Sequence, residues 1–137
     1  MPSEDQIALV RYRLEKARQC AATAKNILFD GDYNASVDRS CFAIFHGMRA
    51  LLVLNGLDLR EGAAVTAKFT ELYIATGIFN ERFSQIIKKV FDLRIACDYD
   101  DFFVVSRQEA EQKEENACVF LDGVERYIAD QLKVCPQ

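Results

Sequence analysis

Proline is nearly missing from this sequence. The only two, Pro2 and Pro136, lie at the two ends, so no interior position loses a backbone N–H or forces a helix to break. Histidine is scarcer still: His46 stands alone, which leaves no histidine arrangement suited to a serine hydrolase or a cysteine protease. There is no glycine-rich phosphate loop, no CxxC pair, no internal repeat and no low-complexity tract. No apolar run approaches the ~20 residues that cross a bilayer, and no positively charged apolar leader opens the chain. The expectation is a cytoplasmic protein with no membrane partner.

Excess positive charge is also absent. Seventeen basic residues against 21 acidic ones give a net charge of -4 and an isoelectric point near 5.0, which counts against broad, charge-driven binding to nucleic acid and leaves room only for a small basic pocket. The five cysteines, Cys20, Cys41, Cys97, Cys118 and Cys135, are odd in number and widely spaced. They are expected to be reduced thiols packed as small hydrophobes, because disulfides and zinc both require converging partners.

What is present is helical periodicity. With 137 residues and 50% apolar content the chain can build one continuous core, and residues 1–137 read as a single domain. Ser3-Glu4-Asp5-Gln6 has the form of a capping box, and Ile7, Val10, Leu14, Ala17, Ala21, Ala24 and Leu28 then recur at three- and four-residue intervals. Gly31 closes this helix and Asp32 caps a second one reaching Asn55-Gly56, apolar around so much of its circumference that it belongs at the centre of a bundle or against another subunit. A third helix runs from Ala63 to about Ala75. Asn80 caps a fourth, whose stripe of Phe83, Ile86, Ile87, Val90 and Phe91 leads into Arg94. Asp98 to Val105 breaks the period and reads as an ordered loop, after which a second capping box, Ser106-Arg107-Gln108-Glu109, opens the last helix. The fold expected is all-α, an antiparallel up-and-down bundle of four to five helices.

Arg94 carries the chemistry that the pattern leaves over. It continues the buried stripe, and a guanidinium directed inward needs a partner. Asp98, one turn on, is the nearest carboxylate in sequence, and Asp38 of the second helix is the next candidate. An Arg94–Asp98 ion pair with no further role competes with a catalytic or binding one, although arginine before acid is the weaker order for an i,i+4 pair. On the second helix His46 shares a face with Arg39, Phe42 and Arg49, and His46 with Arg39 could take a phosphate if that face lines a pocket. Asp92, Asp98, Asp100 and Asp101 do not follow an EF-hand spacing, so no metal site and no cofactor is expected.

Two stretches in this order, Asp30-Gly31-Asp32-Tyr33 through Arg39-Ser40-Cys41-Phe42-Ala43-Ile44-Phe45-His46-Gly47-Met48-Arg49, and Leu93-Arg94 through Asp98-Tyr99-Asp100-Asp101-Phe102, resemble the HEPN family, in particular a bacterial and archaeal branch with an Arg-x-x-x-Asp-Tyr motif. The resemblance implies a helical bundle, commonly a homodimer with a polar cleft between copies, and many relatives are metal-independent ribonucleases or toxins using an arginine followed by a histidine. It also implies a possible minimal nucleotidyltransferase partner in a toxin–antitoxin or regulatory pair. Arg94 matches the arginine, but Tyr99 stands after it and no histidine follows. The function expected is therefore a noncatalytic or weakly catalytic domain that binds a nucleotide, RNA or a protein partner around Arg94, Asp98 and Tyr99, with Asp38, Arg39 and His46 as further candidate binding residues. The alternatives are an endoribonuclease in which Tyr99 or His46 takes the missing histidine's place, and a plain helical scaffold.

Overall fold

Capping decides where the helices begin. In the computed structural model, which describes residues 2–133 and so leaves Cys135 and Pro136 outside, the Gln6 N–H donates to Ser3 Oγ at 3.1 Å while the Ser3 N–H donates to Gln6 Oε1 at 2.7 Å. The reciprocal pair recurs at Ser106 and Glu109, at 3.1 Å in both directions. Asp32 and Asn80 accept from the N–H groups of Ala35 and Arg82. Each of these satisfies first-turn donors that would otherwise be left unpaired. The helices they open are α1 (Glu4–Phe29), α2 (Tyr33–Val53), α4 (Glu81–Tyr99) and α5 (Arg107–Lys133), with a short α3 (Gly62–Phe69) between α2 and α4. Among the described residues there is no strand, and the all-α bundle is the architecture the periodicity predicts.

The central position expected of the second helix is observed. Twelve of the 21 residues of α2 are buried, and it packs against α1, α3, α4 and α5 in turn. Its approach to α5 is close because Gly47 has no side chain: a Cβ there would stand 2.8 Å from Leu121 Cδ2 and 3.3 Å from Phe120 Cε1. The continuous core runs through Val10, Ile44, Met48, Leu51, Leu52 and Phe120, all shielded from solvent. At one end Phe69, Tyr73, Phe79, Phe83 and Phe120 stack or tilt against one another with ring centroids 4.9–5.9 Å apart. Such pairs add to what their area burial contributes.

Two boundaries differ from the pattern reading. The third helix does not run unbroken to Ala75: a π-helical turn (Thr70–Ile74) follows α3, and within it the Tyr73 hydroxyl donates to the Leu51 carbonyl at 3.0 Å, tying this turn to the end of α2. The fourth helix continues past the expected break and includes Asp98 and Tyr99, with the Asp100 N–H donating to the Ala96 carbonyl. Ile95-Ala96-Cys97 contains nothing that stops a helix, and neither glycine nor proline follows to end it. The connection from Asp100 to Ser106 is anchored by Val105, which is buried with Val37 and Ala110. No described helix is long and apolar enough to cross a membrane.

Candidate functional site

Three helical stripes converge on one groove. Residues at helical spacing on α2 (Cys41, Phe42, Phe45), on α3 (Gly62, Ala63, Thr66, Ala67) and on α4 (Phe91, Arg94, Ile95) line it together with Arg60 from the preceding connection, enclosing about 720 Å³. The connection is itself held in place. Asp58 accepts from Arg13 at 2.8 Å and from Arg49 at 3.0 Å, and Arg49 Nε donates to the Leu59 carbonyl at 2.8 Å, one residue before Arg60. The two guanidiniums hold the Asp58 carboxyl below the usual carboxylate range, the Arg13 hydrogen bond most of all.

Arg94 is half-exposed at the edge of this groove. Its Nε donates to Asp38 Oδ1 at 2.8 Å, and its guanidinium carbon lies 5.1 Å from the centroid of the Phe42 ring. Arg39 approaches the same ring at 5.5 Å. Partial burial disfavours the Arg94 charge, but the hydrogen bond to Asp38, the neighbouring Cys41 and the charges of Asp38 and Asp98 more than offset it, so the guanidinium is more firmly protonated than a free arginine. The intrahelical Arg94–Asp98 pair weighed from spacing does not form. Asp38, 56 residues away, is the ion-pair partner, and Asp98 contributes only through longer-range attraction. The i,i+4 order disfavours the local pair, and α2 supplies a carboxylate at better range. Nor is Arg94 fully directed inward: its side chain keeps 40% of its accessible surface, because α4 ends near the molecular surface and leaves the fork reachable by a ligand.

The remaining candidates fall into separate places. Arg39 is exposed and joins Arg94 through Phe42. His46 does not line the groove. Its ring packs 6.2 Å from Phe42 and 5.6 Å from Phe45, its Nδ1 is buried without a hydrogen-bond partner, and it faces a cationic neighbourhood. Burial, followed by Lys16, Arg49, Arg13 and Arg39, pushes its pKa down to about 4, so it is neutral at physiological pH. Tyr99 is 79% exposed, and Asp98 is exposed beside it at the end of α4. Among the described residues neither has a side-chain hydrogen bond, and no three His, Cys, Asp or Glu side chains gather as metal ligands would. Burial pushes the Cys41 thiol up to about 12 against the opposing effect of Arg94, which makes it a poor nucleophile.

The groove itself, with Arg60 and the small residues of α3, escaped the sequence reading. Arg60 sits in a connection, and Ala63, Thr66 and Ala67 read there as ordinary helix positions. The one available signal was a run of small residues along a single face of a short helix.

A HEPN domain family model matches residues 10–127. The chain belongs to the HEPN domain family. This HEPN chain is 27% identical to a Thermotoga maritima protein named UPF0332 protein, over 89% of its own length and 92% of that protein. It is also similar to two Methanocaldococcus jannaschii proteins, each named "putative toxin". One is 31% identical over 90% of this chain and 91% of the relative, and the other is 23% identical over 84% and 78%.

Proposed function

We propose that this HEPN chain, one domain over residues 1–137, is a toxin-like cytoplasmic protein that holds a phosphate of RNA or of a nucleotide at Arg94 and does not cleave it efficiently. The observation that carries the reading is the state of Arg94: a permanently charged fork, oriented by Asp38 and Phe42 and left half-exposed beside a groove. Among the described residues, none that lines the groove is suited to exchanging a proton near neutrality. The only histidine lies outside the groove with its pKa pushed down to about 4. The names of the archaeal relatives support the toxin-like part of the proposal.

Self-association and a nucleotidyltransferase partner complete the proposal. Ile95, Tyr99, Phe102 and Val104 are exposed apolar or aromatic side chains from the end of α4 and the connection after it, and Phe102 is fully exposed. Exposed apolar side chains this close together in sequence support an interaction surface and a homodimer.

Purified protein incubated with a mixed RNA pool in the absence of metal tests the reading. The expected outcome is saturable RNA binding without cleavage, weakened about tenfold or more in Arg94→Ala, as for a lost charge-assisted contact, with the helical circular dichroism unchanged. Cleavage by the wild type that disappears in Arg94→Ala would instead establish the endoribonuclease, with Tyr99→Phe then deciding whether the exposed phenol serves it.

A further inference from the structure

The groove beside Arg94 has a composition of its own. Its volume of about 720 Å³ lies within the ~300–1,000 Å³ common for small-molecule sites. Three phenyl groups, Phe42, Phe45 and Phe91, line it, and both of its charged residues are cationic, Arg60 and Arg94. In a chain of net charge -4 a groove without a lining carboxylate is selective for an anion. Arg94 is already paired with Asp38, whereas Arg60 has no ion pair or hydrogen bond among the described residues.

A second donor set lies next to Arg60. Gly62 and Ala63 are the first two residues of α3, both line the groove, and Glu61 at the N-cap makes no side-chain cap. The first-turn N–H groups of α3 are therefore open to an acceptor, where the helix dipole favours negative charge. One turn further in, Thr66 and Ala67 continue the small-residue wall of the groove.

We propose that this groove seats one unpaired nucleotide, with its base among Phe42, Phe45 and Phe91 and its phosphate on Arg60 and the start of α3. The proposal rests on the reading that Arg94 takes a phosphate and extends it: Arg94 grips the backbone, and the groove reads the presence of a base. Aromatic faces accept any base by stacking, so the seat favours single-stranded over paired RNA.

Titration calorimetry with AMP, a short unstructured RNA, ribose 5-phosphate and decanoate tests this on the wild type and on Ala67→Phe, Arg60→Gln and Arg94→Ala. Ala67 is exposed on α3 and lines the groove, so a ring there fills the seat without entering the core. The expected result is that AMP or the RNA binds at least about tenfold more tightly than ribose 5-phosphate, as one stacked base provides. Ala67→Phe should abolish that preference, and Arg60→Gln should weaken AMP and ribose 5-phosphate alike, with melting temperature and oligomeric state unchanged. The relative strength of AMP and RNA tells a free nucleotide from a strand. Wild-type binding that is lost in Arg94→Ala yet untouched by both groove variants overturns the seat alone. Equal binding of ribose 5-phosphate, displacement of AMP by decanoate, or an Ala67→Phe variant that dissociates a dimer without altering nucleotide binding also overturns it. If no phosphate compound binds the wild type, both readings fall.

Discussion

At the scale of single residues, Phe102 and His46 are each held in a state that costs stability. Phe102 has φ 62°, the only positive value at a non-glycine position among the described residues, and its ring is fully exposed. For a bulky side chain the left-handed region costs about 1–2 kcal/mol. Replacing it with glycine should raise the unfolding free energy by about 0.5–1 kcal/mol, glycine's extra freedom in the unfolded chain offsetting part of the relief. If the ring belongs to a subunit contact, the same variant should dissociate more readily in light scattering. A variant both less stable and equally associated would contradict both roles.

His46 makes stability depend on pH. Its folded pKa of about 4 lies below its ordinary 6.5, so the unfolded chain binds a proton that the folded chain refuses. Stability should therefore fall as pH drops from about 6.5 toward 4, by about 1 kcal/mol once partial exposure is discounted. Urea titrations across that window should show the decline in the wild type and a flatter profile in His46→Leu. Asp58, whose pKa is depressed from 3.8, loses its contribution only at lower pH and stays outside the window.

At the scale of elements, the contact between α2 and α5 is the most exacting. Gly47 admits Leu121 and Phe120, both buried and unable to swing clear, at distances a methyl group would violate. Gly47→Ala gains helix propensity of about 1 kcal/mol but overpacks the core by about 1–3 kcal/mol, and thermal melting should show a net loss. Element boundaries were legible wherever a local signal existed. Ser3, Asp32, Asn80 and Ser106 cap as their side-chain chemistry requires, because a cap is settled within about three residues. The end of α4 was less legible: the aspartates after Arg94 suggested a break, yet nothing in Ile95-Ala96-Cys97 opposes helix.

At the scale of the whole molecule, a net charge of -4 confines any nucleic-acid contact to a local site. Single-stranded binding should therefore depend only weakly on salt, with a log–log slope no steeper than about -2, since each phosphate contributes about -0.7. Fluorescence anisotropy at several salt concentrations measures this, and a much steeper slope would indicate a contact spread over many basic residues.

The sequence by itself determined the helical class, the central place of α2 and the lack of a histidine after Arg94, because periodicity, side-chain caps and residue identity are properties of the chain read in order. Tertiary structure alone decided that Arg94 pairs with Asp38 and not with Asp98, and that His46 stands outside the groove lined by Phe42, Phe45 and Phe91. Those relations join residues far apart in the chain, and they depend on how α2, α3 and α4 pack, which no local spacing encodes.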